Sequence, residues 1–282
     1  MQNKICIVTG ANAGIGKITA IELARHGATV VMICRNQERG EAALAEVQAE
    51  SGSQQVELLL ADLSVQAEVK QVAQEFKQRY DRLDVLVNNA GGIFMERTTS
   101  LDGLEMTFAL NHMGYFLLTN QLLDLLKASQ PARIVNVSSN AHRFGDIDLD
   151  DLQNEQKYSG FGAYGQSKLA NILFTKELAR QLEGTEIAVN ALHPGFVKTQ
   201  FGQRNKVNGL MRVLIYKVIS PLFAISPEKG AETSLYLATS SEVEKVTGEY
   251  FDKKKISKVS KQANDMEVAR QLWAKSQELL VV

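Results

Sequence analysis

The ten residues VTGANAGIGK, positions 8–17, set three glycines, Gly10, Gly14 and Gly16, between the first apolar run of the chain and its first helical pattern. Glycine turns sharply and lets backbone amides come close to another molecule, so a strand that ends in glycines and opens a helix forms a cradle for phosphate. The flanks agree with that reading. KICIVT (4–9) is short, apolar and β-branched, ITAIELARHG (18–27) carries Ile18, Ile21 and Leu23 on a helical stripe that stops at Gly27, and ATVVMICR (28–35) is a second buried-type strand. Strand, glycine turn, helix, strand opens a dinucleotide-binding unit. Its G-x-x-x-G-x-G spacing differs from G-x-G-x-x-G, and a glycine turn can also be purely structural.

The alternation continues. RGEAALAEVQAES (39–51) reads as helix, QVELLLAD (55–62) as strand, VQAEVKQVAQEFKQRY (65–80) as helix and LDVLVNNAG (83–91) as strand. Helical segments follow over 101–128, then strand ARIVNVSS (132–139), a long helix over 162–183 and strand EIAVNALHPG (186–195). Beyond Gly195 an apolar connection (196–226) precedes a helix near 227–240, a strand GEYFD (248–252) and a C-terminal tail (253–282) with a helix over 265–280. Alternating strands and helices imply parallel pairing with right-handed crossovers. The expected fold is α/β: a single doubly wound Rossmann domain over 1–282, its mainly parallel central sheet of about seven strands flanked by helices. Ligands in such sheets bind beyond the carboxyl ends of the strands, where strand order reverses.

A formal net charge of −1 and the lack of a long basic block argue against nucleic acid as a partner. Cys6 and Cys34 lie in apolar strand-like runs with neither metal nor disulfide spacing, and read as buried reduced thiols. The chain opens on its first strand, leaving no room for a signal peptide. Its longest apolar stretch, 209–226, is interrupted by Arg212, Lys217 and Pro221, so no stable membrane span is expected. The expectation is a soluble, cytoplasmic protein.

Cofactor choice turns on the end of the second strand, where an acid would hold a ribose hydroxyl and an arginine would take a 2′-phosphate. The strand ends ICRN, placing Arg35 there with no acid before Glu38. A guanidinium matches phosphate in a bidentate way, which favours NADP(H) over NAD(H); a solvated loop cation is the plain alternative. Lys17 is a possible helper. Asp62 ends the third strand as either an acceptor for an adenine amino group or a helix N-cap. In NNAG (88–91), Asn89 and Gly91 suit backbone approach to a ribose, and Asn88 suits a tie between strands.

YGQSK places Tyr164 and Lys168 four residues apart on one helical face. A free phenol has a pKa of about 10 and needs a nearby positive field to act as a base at neutral pH. Lys168 and an oxidised nicotinamide have the right sign, making Tyr164 a candidate acid/base. His112, His142 and His193 share no metal spacing and read as packed or hydrogen-bonded rings, and DIDLDD (146–151) lacks the spacing of a calcium loop.

TGANAGIG, NNAG, VNVSS, YGQSK and HPGFVKT occur in this order at strand ends and helix starts. Together they resemble the short-chain dehydrogenase/reductase superfamily over nearly the whole chain. GANAGIGK, CRN, LNHMGYF, IVNVSSNAH, SKLANILFTKELAR and HPGFVKT are most similar to its retinol dehydrogenase-like branch, which includes WW-domain oxidoreductase relatives. The resemblance implies that Ser139 polarises a substrate carbonyl, Tyr164 moves its proton, Lys168 holds the ribose and lowers the tyrosine pKa, and Asn111 anchors a relay water. Adjacent serines on a strand face opposite ways, and the family pattern favours Ser139 over Ser138. The implied cofactor residues are Gly10, Asn12, Gly14, Ile15, Gly16, Arg35, Asn36, Asp62, Leu63, Asn89, Ala90, Gly91, Tyr164, Lys168, Pro194, Gly195 and Thr199. No metal is implied.

The 24 residues 140–163 between Ser139 and Tyr164 also resemble that branch and would form part of the site rim. The apolar 196–226 connection, with Phe201, Leu210, Met211, Ile219 and Phe223, would form a lid suited to a lipophilic carbonyl or alcohol; packing on the domain or a subunit contact are its other readings. The stripe Leu169, Ile172, Leu173 and Leu178 could serve a homodimer or homotetramer or only the sheet face. The expected function is an NADP(H)-dependent oxidoreductase for a lipophilic aldehyde or ketone and its alcohol. A catalytically silent dinucleotide-binding sensor or scaffold is the rival, although Asn111, Ser139, Tyr164 and Lys168 are all retained.

Overall fold

The computed structural model describes residues 1–197 and 225–280. One sheet dominates it. Strands β1 (Ile5–Thr9), β2 (Thr29–Cys34), β3 (Val56–Leu60), β4 (Val85–Asn88), β5 (Ala132–Val137), β6 (Ile187–His193), β7 (Tyr250–Asp252) and β8 (Lys255–Ile256) lie in the order β3-β2-β1-β4-β5-β6-β7-β8. Every pairing is parallel except β7 with β8. The inner strands are apolar almost throughout because helices cover both faces. The mainly parallel doubly wound sheet anticipated from the alternation is therefore present. The antiparallel β8 was not anticipated: two exposed residues carry no periodicity to read.

One face of the sheet is covered by α1 (Gly14–Arg25), α2 (Gln37–Ser51) and α8 (Pro227–Thr239), with Ile21, Leu23, Met32, Val47, Leu237 and Phe251 in the core between them. The other face carries α3 (Gln66–Arg79), α5 (Gly114–Gln121), α6 (Leu123–Ala128) and α7 (Gly160–Gln181), around Phe76, Tyr115, Phe116, Leu118 and Phe174. The last helix, α9 (Met266–Glu278), lies across α7. Its Trp273 ring stacks on Phe174, 5.8 Å between centroids, and meets Phe116 edge-on at 4.8 Å. Leu169, Ile172, Leu173 and Leu178 are all buried within this single chain.

The helical segment expected over 101–128 is interrupted. α4 (Met106–Phe108) passes into a π-helical turn, Ala109–Met113, before α5 begins. Buried Glu105 caps α4, its carboxylate accepting from the Thr107 and Phe108 N–H groups at 2.8 and 2.7 Å. Between the layers runs a polar line. Asn88 Nδ2 donates to Thr119 Oγ1 at 3.0 Å and to Asn136 Oδ1 at 2.9 Å, and Asn136 Nδ2 donates to Thr175 Oγ1 at 2.9 Å. Asn88 ties β4 to β5 as its position suggested.

Candidate active site

Strand order reverses between β1 and β4, which opens a crevice at their carboxyl ends. Gly10 and Gly14 sit there at φ of 65° and 56°, in the left-handed region that favours glycine. A Cβ on Gly10 would come within 2.9 Å of Ala90 Cα, and one on Gly16 within 2.4 Å of Asn89 Nδ2. The glycines therefore let the turn close against β4, while the Ala11 and Asn12 N–H groups meet the Cys34 thiol at the end of β2. Helix α1 starts with no side-chain cap at Ala13 and no acid in its first turn, so its N–H groups and positive dipole end suit an anion.

Asn89 braces this turn. Its Nδ2 donates to the Thr9 carbonyl at 2.8 Å, and the backbone N–H groups of Asn89 and Ala90 both donate to Thr9 Oγ1, at 2.8 and 2.9 Å. Asn12 lies within the turn, and Ile15 faces α8, where its Cγ1 lies 3.1 Å from the position of a Cβ on Gly230. Lys17 pairs with Glu46 on α2.

Arg35 leaves β2 with its side chain 47% exposed and meets Asp62 Oδ2 at 3.1 Å. Asp62 also accepts, through Oδ1, from the Ser64 N–H at 3.0 Å and Ser64 Oγ at 2.7 Å. Burial pushes the Asp62 carboxyl up, but the Ser64 bonds and Arg35 outweigh it and hold the group below the usual carboxylate range. The helix N-cap reading of Asp62 is corrected: α3 is preceded by Val65 at its cap position, and Asp62 instead turns the chain onto Ser64. Asn36 caps α2 through the Arg39 N–H at 2.9 Å, and Arg39, which the sequence reading passed over, adds a second exposed cation beside Arg35. Leu63 is buried, its carbonyl 2.5 Å from where a Cβ on Gly114 would lie.

Tyr164 and Lys168 rise one turn apart on α7. The Lys168 ammonium donates to the Val137 carbonyl at 2.9 Å and lies 5.6 Å from the centre of the Tyr164 ring. Ser139 ends the β5 segment as the cap of a 3-10 turn, Asn140–Arg143, and its hydroxyl is hydrogen-bonded to the Tyr164 phenol. Ser138 points the other way, Oγ donating to the Lys168 carbonyl at 2.7 Å. On the π turn, Asn111 Nδ2 donates to the Gly92 carbonyl and to Ser167 Oγ, both at 2.9 Å, while Oδ1 accepts from the Gly92 N–H at 2.8 Å. Gly91 completes the floor: a Cβ there would be 3.0 Å from Asn111 Oδ1 and 3.5 Å from Lys168 Nζ. Ser139, Tyr164, Lys168 and Asn111 therefore converge beside the glycine turn.

Burial pushes the Tyr164 phenol up to about 12, with only the Ser139 hydrogen bond pulling it down, and the same burial pushes the Lys168 ammonium down to about 7. Burial is the leading cause of both shifts.

Pro194 and Gly195 follow β6, with Gly195 at φ of 90° against Ile225. Thr199 lies outside the described residues, as do most of the 196–226 connection and its apolar side chains. The histidines are engaged as packed rings: His193 Nδ1 accepts from the Asn140 N–H at 3.3 Å, and His112 Nε2 is 2.9 Å from Ser276 Oγ on α9. Asp148 accepts from the Asp150 N–H within the acidic turn, and Asp151 accepts from the Glu155 and Gln156 N–H groups that follow it. Tyr115 was missed by the sequence reading. It is fully buried, its ring centre is 5.8 Å from Lys168 Nζ, and its hydroxyl has no partner among the described residues. Only its place in LNHMGYF could have drawn attention to it.

A doubly wound sheet that brings a phosphate cradle and a tyrosine–lysine pair to one crevice defines a dinucleotide-dependent class of protein. Residues 4–208 match the family described as short chain dehydrogenase, and the chain belongs to that family. Retinol dehydrogenase 13 of Homo sapiens is 45% identical over 284 residues, covering 99% of this chain and 85% of that protein. A solved, uncharacterised protein from Mycobacterium paratuberculosis superposes with a TM-score of 0.79 at 34% identity, covering 99% of this chain and 93% of its own. The RhlG/NADP active-site complex of Pseudomonas aeruginosa gives a TM-score of 0.71 at 27% identity, covering 89% and 94%. The family transfers hydride between a nicotinamide dinucleotide and an alcohol or carbonyl, and this chain is an oxidoreductase of that kind. Among the described residues no helix is long and apolar enough to cross a membrane.

Proposed function

We propose that this protein is an NADP(H)-dependent oxidoreductase acting on a lipophilic aldehyde or ketone and the corresponding alcohol, with Tyr164 as the acid/base. The observation that carries the proposal is the convergence of Ser139, Tyr164, Lys168 and Asn111 within hydrogen-bonding networks at the switch-point crevice. The residues fit a dinucleotide: bare N–H groups open α1, and Gly10, Gly14 and Gly91 leave space that side chains would fill. The bound cofactor supplies or accepts the hydride. Tyr164, a phenol at neutral pH, gives its proton to the carbonyl oxygen as the alcohol forms, and Ser139 donates a hydrogen bond to the same oxygen. Lys168, fixed on the Val137 carbonyl, would hold the ribose, and Asn111, fixed on Gly92 and Ser167, would anchor a relay for the proton.

Exposed Arg35, just after β2, and Arg39, in the first turn of α2, support a 2′-phosphate, for which Arg35 would exchange its pairing with Asp62. Phe144, Phe161 and Phe196, exposed by 61%, 55% and 53%, stand close in sequence to Ser139, Tyr164 and Gly195 and support a lipophilic substrate. The test is a titration of NADPH and NADH against wild type and Arg35→Ala, followed by a carbonyl panel that includes retinal. Arg35→Ala is expected to weaken NADPH about tenfold or more and leave NADH within about twofold; an equal effect on both would refute the 2′-phosphate role. Tyr164→Phe is expected to keep NADPH binding and lose at least about a hundredfold in turnover, and unchanged turnover would remove Tyr164 from the mechanism.

A further inference from the structure

We propose that His142 is a positioning residue for Ser139, and that it is held in turn by the C-terminal segment at Ser260. The inference rests on the reading in which Ser139 orients the carbonyl. His142 is fully buried three residues after Ser139, inside the 3-10 turn. Its Nδ1 lies 2.7 Å from the Ser139 carbonyl oxygen, and its Nε2 lies 3.3 Å from the Ser260 backbone nitrogen. A carbonyl can only accept and a backbone N–H can only donate. The two partners therefore fix one state of the ring: neutral, with the proton on Nδ1 and a lone pair on Nε2.

The same Ser139 carbonyl also accepts from the His142 N–H at 3.1 Å, and the Ala141 N–H donates to Ser139 Oγ at 3.2 Å. Ser139 is thus held at both its carbonyl and its hydroxyl, and that hydroxyl meets the Tyr164 phenol. The rest of the turn is anchored too. Asn140 N–H donates to His193 Nδ1, Asn140 Oδ1 accepts from the Tyr250 hydroxyl at 3.2 Å, and Arg143 donates to the Lys258 carbonyl. The Tyr250 ring packs edge-on against His142, 4.9 Å between centroids. A side chain required only to fill space would need neither of the two ring bonds. Both are made, and one ends on the backbone of the serine whose hydroxyl faces the tyrosine.

Two substitutions separate the bonds. His142→Asn places an amide donor near the Nδ1 position and leaves Ser260 without its acceptor, whereas His142→Gln reaches toward Ser260 and abandons the Ser139 carbonyl. Expected is a fall in kcat of about tenfold or more for His142→Gln, with KM for NADPH and for the carbonyl within about twofold, and substantial retention of kcat by His142→Asn. Equal losses in the two variants, or no loss in His142→Gln, would overturn the proposal. A second measurement does not depend on turnover: 15N spectra of the wild-type imidazole should show a neutral ring protonated at Nδ1 at pH 7. An Nε2-protonated or cationic His142 would overturn the link to Ser139. Wild-type protein that binds NADPH but reduces no carbonyl would count against the functional reading alone, and the tautomer would still decide the link.

Discussion

Lys168 shows how strongly burial acts on a charged group. The i, i+4 relation to Tyr164 was legible because helical geometry is local. The direction of the pKa shifts was not, because it depends on the β4 and β5 ends and the Tyr115 ring that close over the ammonium. With its folded value near 7 and an unfolded value of about 10.4, Lys168 is protonated in the unfolded chain and largely neutral in the folded one across that window. The unfolded state then binds more protons, so stability rises with pH from about 7 to about 10 and falls back as pH drops toward 7. Lys168→Met is expected to remove that rise, a slope of at most about 1.4 kcal/mol per pH unit. Urea unfolding of both proteins at three pH values checks it, and parallel curves would refute the shift.

At the scale of elements, most strands and helices were readable from local pattern: β2 from its unbroken TVVMIC run, α7 from its length and stripe. Three features were not. The π turn at Ala109–Met113 follows from tertiary hydrogen bonds to Gly92 and Ser167, β8 is too short to have a period, and the 3-10 turn after Ser139 depends on partners more than a hundred residues away. The glycine turn was legible as a backbone special, but its closure on Asn89 and Ala90 was not, since nothing in GANAG names the neighbouring strand. The polar line through Asn88 and Asn136 is likewise a product of register, the two residues being opposed across β4 and β5. Asn136→Leu would leave one Asn88 Nδ2 hydrogen without its acceptor and remove one of the two bonds at Thr175 Oγ1, and it is expected to cost about 1–3 kcal/mol. Chemical denaturation measures it; a change under about 0.5 kcal/mol would mean that the line carries little of the fold.

For the molecule as a whole, α9 settles what the apolar side of α7 is for. Leu169, Ile172, Leu173 and Leu178, which as a bare stripe suited either a subunit contact or the chain's own core, are buried inside one chain. Trp273, the only tryptophan in the sequence, seats the helix on Phe116 and Phe174. Trp273→Ala is expected to destabilise by about 3 kcal/mol, the low end for a large aromatic because the ring is only partly buried. A subunit contact, where the chain forms one, uses a face other than the one α9 covers.

The stitching of the Ser139 turn to the end of the chain also fixes when the site can exist during synthesis. Asn140, Arg143 and His142 find Tyr250, Lys258 and Ser260 at separations of 110, 115 and 118 residues. At about 5–20 residues per second, a ribosome needs roughly 6–24 s to make the partners of a turn it has already produced. The glycine turn and its Asn89 brace draw on the first 90 residues alone, whereas the serine beside Tyr164 waits for residues 250–260. The Ser139 turn is therefore among the last parts of the molecule that synthesis can complete.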